Sequence, residues 1–226
     1  MKPIASILIL FFIVVSCRKE SDPIPGQNNQ GIEYFPIDSV KQYLYAVDSI
    51  AYNDNNNSID TFSFQLKTQF VESFFDNSGI QTWRIKRMAK YDTTGNFIEI
   101  QNYFYKRNGS YLIATENNVE LLKAILPIKA AFVWNGNLFN SLGRINSKVD
   151  ALNSDFILAD TTFINTLQIT ETFNSDFILE TNKQSIYQLN RGLVYVQNKN
   201  IETQYIDGKE RRSGYDIRQK LIGIIE

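Results

Sequence analysis

The sequence predicts an all-β fold, an antiparallel meander forming a β-sandwich or a partly open β-barrel, with little helix beyond residue 16. Three observations carry this. First, the dominant period is two. Tyr43, Tyr45 and Val47 alternate with Leu44, Ala46 and Asp48, and Phe62, Phe64 and Leu66 alternate with Ser63, Gln65 and Lys67. Trp83, Ile85 and Arg87 continue the style. Aromatic and β-branched residues suit a pleated, half-buried surface, and alternation suits a sheet with one wet face. Second, clusters rich in Asn, Asp, Ser and Gly fall at 53–58, 76–79, 92–96, 107–110 and 207–214. Strands punctuated this often read as hairpins. Third, only 121–126 and 183–190 tempt a helix assignment, and Pro127 lets the first end as a strand instead.

Two hairpins are specified locally. Asn108-Gly109 suits a type I′ turn, which would set Arg107 opposite Ser110, Lys106 opposite Tyr111 and Tyr105 opposite Leu112. A second hairpin joins 46–52 to 60–70 around an Asn-rich loop. The hexapeptide Asn-Ser-Asp-Phe-Ile-Leu occurs at 153–158 and again at 174–179. Two copies are too few for a solenoid, so the expectation is two strands entered through similar turns.

The first residues read as an address. Met1-Lys2 is a short positive start, and 3–15 is apolar apart from Ser6. Thirteen helical residues would reach only about 20 Å, short of a hydrocarbon core of about 30 Å, which fits a signal peptide rather than a span. Val14-Val15-Ser16-Cys17 resembles a bacterial lipobox, and Cys17 is the single cysteine of the chain. That resemblance implies cleavage between Ser16 and Cys17 and acylation of Cys17. Two or more acyl chains hold a protein at a membrane where one does not. Residues 18–31 include two prolines and two glycines and read as a flexible tether spanning roughly 20 Å. The expected organisation is a signal peptide at 1–16, lipidated Cys17 and tether at 17–31, and one β domain at 32–226.

Tyr34-Phe35-Pro36-Ile37, Val47-Asp48-Ser49-Ile50 with Tyr52, Trp134-Asn135-Gly136-Asn137 and Gly192-Leu193-Val194-Tyr195 together resemble a family of uncharacterised Bacteroidota lipoproteins. In that family a Gly-x-Tyr/Trp follows the first motif, whereas here Ser39-Val40-Lys41-Gln42-Tyr43 has no Gly. The resemblance implies a secreted β domain and brings no activity with it; Arg18, standing where Asp would favour inner-membrane retention by analogy with enterobacterial sorting, points to the outer membrane of the cell envelope.

Composition excludes several chemistries. The 226 residues contain no His and one Cys, which removes imidazole catalysis, internal disulfides and His- or Cys-based metal sites. A formal net charge of −1 offers nothing to a nucleic acid. No phosphate-loop, dinucleotide or nucleophile-elbow motif occurs. No cofactor and no metal is expected. The loop from Asp54 to Asp60 resembles a calcium loop but lacks its glycine and closing carboxylate, since the twelfth position is Gln65.

Sixteen Phe, twelve Tyr and two Trp remain. Tyr43, Tyr45, Tyr103, Tyr105 and Trp83 are either stacking platforms or core and rim residues of a sheet. Trp134 stands out as a ligand contact because Trp134-Asn135-Gly136-Asn137 reads as a loop. Asp92-Thr93 and Asp160-Thr161 are similar to an O-glycosylation acceptor pattern, making Thr93 and Thr161 the candidate sites. The leading functional reading is a lipid-anchored, non-enzymatic module that binds a ligand or an envelope partner, protein or glycan. A carboxylate-dependent glycan hydrolase and a structural subunit of an envelope complex are the alternatives.

Overall fold

The computed structural model describes residues 30–37 and 41–225. The segment read as a signal peptide, Ser16, Cys17 and most of the segment read as a tether lie outside the described residues. Twelve antiparallel strands form one sheet that curls into a nearly closed barrel. The all-β meander predicted from the period of two is therefore what the chain adopts, as a barrel rather than a sandwich.

The chain enters the middle of the sheet. From β1 (Gln42–Asn53) it steps outward through β2 (Ser58–Phe75), β3 (Gln81–Lys90), β4 (Ile98–Asn108), β5 (Tyr111–Glu116) and β6 (Val119–Ile125). It then crosses to the other margin at β7 (Val133–Asn135). From there it steps back through β8 (Asn146–Leu158), β9 (Thr161–Ser175), β10 (Leu179–Gln188) and β11 (Gly192–Ile206) to β12 (Lys209–Ile225), which pairs with β1. The two sheet margins are thus β6 and β7, neighbours in sequence. They meet along a seam. Leu122 N donates to the Gly136 carbonyl at 2.8 Å, and Asn140 Nδ2 donates to the Glu120 carbonyl at 2.7 Å. Docking the margins against each other satisfies backbone groups that an open edge would expose.

Both sequence-specified hairpins form. Asn53 pairs with Ser58 around the Asn-rich loop, where Asn53 and Asn56 side chains accept from Asn55 N and Ser58 N at 3.0 Å. In the β4–β5 hairpin, however, Asn108 pairs with Tyr111 and Arg107 with Leu112. The two loop residues are Gly109 and Ser110, and of these Gly109 alone has a positive φ, 58°. A glycine first and an ordinary residue second suits a type II′ loop rather than the I′ loop expected of Asn-Gly. Moving the turn by one residue changes each cross-strand partner by two, so every side chain keeps its predicted face.

The repeated hexapeptide does not build equivalent structures. The copy at 153–158 lies inside β8, where Asn153 has φ 55° at a register shift. The copy at 174–179 spans the end of β9 and the turn into β10, with Asp176 Oδ1 accepting from Ile178 N and Leu179 N. Tertiary context explains the difference, since the Asn153 carboxamide accepts from Tyr34 Oη at 2.7 Å and holds the first copy in place.

One end of the barrel is plugged. Residues 30–37 form a strap with a short 3-10 turn (Ile32–Tyr34), and Tyr34, Phe35 and Ile37 are buried. Ile128 N donates to the Gln30 carbonyl and Asn190 N to the Glu33 carbonyl, at 3.1 and 2.8 Å. Gln30 and Gly31, read as tether, are therefore part of the folded body. At the opposite end, the β9–β10 and β11–β12 tips expose Phe177, Ile178 and Tyr205 by 93, 65 and 67%. Thr203 N donates to the Ile178 carbonyl and joins these tips.

Candidate ligand-binding cavity

Above the strap the barrel interior holds a cavity of about 70 Å³. At about 10–15 Å³ per water, that is room for roughly five waters or a ligand of similar size. Tyr43, Tyr45, Tyr103, Tyr105, Tyr187 and Arg87 converge on it from β1, β3, β4 and β10. Period two explains the convergence. Tyr43 and Tyr45 lie on the same face of β1 as Val47, and the register carries that face across Leu66 and Ala89 to Ile85 and Tyr103. The tyrosines read as either platforms or core are both at once, buried in the wall and lining a void.

The wall is polar despite its rings. Thr68 on β2 and Gln219 on β12 also line it. Tyr45 Oη donates to the Leu193 carbonyl at 3.2 Å. Burial pushes the Tyr45 and Tyr105 phenols well up, the Tyr103 phenol up, and Tyr187 up to about 12. All four stay protonated and able to donate at neutral pH.

Beside the cavity lies a chain of charges that runs from half-buried Lys123 and Glu116 out to the more exposed Lys183. Lys123 on β6 pairs with Glu116 on β5 at 3.1 Å, and Lys183 on β10 pairs with Glu171 on β9. Burial alone would raise Glu116, but Lys123 and Arg87 hold it below the usual carboxylate range. Burial would lower Lys123, and Glu116 and Glu171 hold it up instead. A carboxylate depressed in the fold contributes stability above its unfolded value of about 4.3, lost as pH falls through the folded value. A raised ammonium contributes below about 10.4 and loses its share as pH climbs through the folded value. The melting temperature should therefore stay flat from about pH 5 to 9 and drop on acidification, more steeply in wild type than in Glu116→Gln. Equal acid slopes in a calorimetric pH series would refute the pairing.

Arg87 appears in the sequence only as a member of the strand alternation, with no site role assigned to it. It lies on the apolar face of Trp83, Ile85 and Arg87, and a cation in that position is the signal that marks it. Its guanidinium stacks 4.8 Å from the Tyr103 ring and Nη1 donates to Gln101 Oε1 at 3.0 Å. Its Nε is buried without an acceptor.

The residues singled out from sequence fall elsewhere. Trp134 is not on an open loop: it belongs to β7, is 5% exposed, and its Nε1 donates to the Leu122 carbonyl at 2.9 Å. The indole closes the seam and has no face left for a ligand. Thr93 is exposed in a turn where Asp92 accepts from Thr94 N and Gly95 N. Thr161 opens β9 half-buried, its hydroxyl accepting from Lys220 Nζ at 2.7 Å.

No family model matches the chain, and no curated protein matches it. A solved structure does. It is a DUF1329 family protein from Desulfovibrio piger, 12% identical, with a TM-score of 0.25 over 90% of this chain and 93% of that one. At that level of superposition the likeness carries no argument. Among the described residues no helix is long and apolar enough to cross a membrane, and no group of three or more carboxylates is placed to hold a metal.

Proposed function

We propose that the chain is a lipid-anchored envelope protein, held by Cys17, whose barrel binds a small ligand without transforming it. The observation that carries the binding reading is the buried, tyrosine-walled cavity beside Arg87. Ligand sites are typically concave and mostly apolar, with a few convergent polar groups. The lipobox and the resemblance to Bacteroidota lipoproteins support the location. The hydrolase alternative draws no support, because each carboxylate with a resolved shift is lowered, Glu116 included, whereas a general acid needs one raised. Exposed Phe177, Ile178 and Tyr205 favour an envelope partner in addition to the ligand.

Two measurements test this. Cys17→Ser should lose metabolic palmitate label and move from the detergent phase to the aqueous phase; unchanged label and partitioning would overturn the anchor. Native mass spectrometry of protein released gently from its own membranes should show a small bound mass, absent in Thr68→Phe, where the ring fills the cavity. No bound mass, together with no stabilisation by any fraction of a cell extract, would overturn the binding reading.

A further inference from the structure

We infer that the cavity takes a small monocarboxylate, its carboxylate on the Arg87 guanidinium and its short chain among the tyrosine rings. This rests on the ligand-binding reading above and adds the ligand's chemistry. Three observations carry it.

The first is the placing of charge. Arg87 and Lys123 both lie near Glu116, while Lys183, its side chain 40% exposed, pairs with Glu171 closer to the surface. Each carboxylate is engaged by a lysine, Glu116 by Lys123 and Glu171 by Lys183. Among the described residues no carboxylate forms an ion pair with Arg87. Glu116 attracts Arg87 from beyond ion-pair distance and is itself engaged by Lys123, so a bound anion would give the guanidinium the direct partner it lacks.

The second is an unused donor. Arg87 Nε is buried with no acceptor, and Arg87 is part of the cavity wall. The neighbouring phenols of Tyr103 and Tyr105 remain protonated and so present donors rather than competing negative charge. Guanidinium N–H groups match a planar carboxylate, which accepts through two oxygens.

The third is size and lining. A volume of about 70 Å³ admits roughly four to six non-hydrogen atoms, the range from acetate to butyrate. Phe35, Phe70 and Ile85 contribute apolar wall, which suits an alkyl tail better than a phosphate or sulfate.

The test uses the full chain at pH 7, with acetate, propionate and butyrate beside their amides, which match them in shape and lack the charge. Calorimetric titration should show saturable binding of at least one acid, with its amide at least tenfold weaker. Arg87→Gln should weaken the acid at least tenfold and melt below the unliganded wild type, since stacking on Tyr103 and attraction to Glu116 are lost; titration below that melting point keeps the comparison on folded protein. Arg87→Lys should retain part of the affinity. Equal binding of acid and amide would overturn the anion preference and leave the cavity reading standing. Binding of chloride or phosphate as tight as that of the acids would overturn the carboxylate class. If no acid or amide binds, while the native protein still shows a small bound mass, this inference alone falls. If that bound mass is also absent, both readings fall.

Discussion

Trp134→Ala should destabilise the protein by about 3–5 kcal/mol. Removing a buried aromatic side chain costs that much through lost transfer energy and the cavity left behind. Here the indole also donates to the Leu122 carbonyl, and the loss leaves that acceptor at the seam without its partner. Trp134→Phe separates the two contributions by keeping most of the packing and dropping the hydrogen bond, for a loss of about 1–3 kcal/mol. Urea denaturation followed by circular dichroism measures both. Hydrogen exchange at the Leu122 amide, bonded to Gly136, should accelerate in Trp134→Ala ahead of amides in β1 and β12. Uniform acceleration would mean that Trp134 is ordinary core, with no particular role in closing the barrel.

Gly214→Ala should be comparably damaging for a different reason. Gly214 sits in β12 at φ 120°, where a β-carbon would lie 2.0 Å from the Asn200 carbonyl oxygen. Backbone on both sides is fixed, because Gly214 pairs with Tyr52 on β1 and Ile201 on β11. Strain of about 1–3 kcal/mol for the backbone conformation adds to a similar cost for overpacking, so a loss of about 3–5 kcal/mol is expected. The β11–β12 tip should detach first, seen as protease cleavage between 202 and 213. Gly208→Ala, at φ 72° but with open space around the added carbon, carries backbone strain without the clash, so it should cost only about 1–2 kcal/mol and serves as the control. Equal effects at the two glycines would refute the steric account.

Much of the architecture was legible because it is local. Alternation along 42–52 and 58–70 fixes both the strands and the hairpin between them, and Pro127 ends β6. Turn geometry was less so, since whether Asn108 or Gly109 opens the loop depends on backbone twist that a dipeptide does not encode. Pairing of β1 with β12 and docking of β6 on β7 were out of reach, because each depends on how strongly the whole sheet curls. The site divides the same way. Tyr43, Tyr45, Tyr103 and Tyr105 were visible as an aromatic face, but only closure turns four strands toward one void. Trp134 drew attention for the right residue type in the wrong setting, as Asn-Gly-Asn imitates a solvent loop while the indole is held inside. Glu116, Lys123, Glu171 and Lys183 look like ordinary solvated charges in a strand pattern until the barrel brings them face to face.

The strap also determines how the molecule carries mechanical load. Tension arriving through the N-terminal segment reaches Gln30 first, and the chain there is bonded to the β6–β7 connection, with Glu33 bonded to the β10–β11 turn. Tyr34 passes part of the pull on to β8 through Asn153. Force is thereby divided among three well-separated parts of the wall before it can peel β1 from its neighbours. A pull on the chain ahead of Gln30 would uncork the base of the barrel before it unzipped any strand.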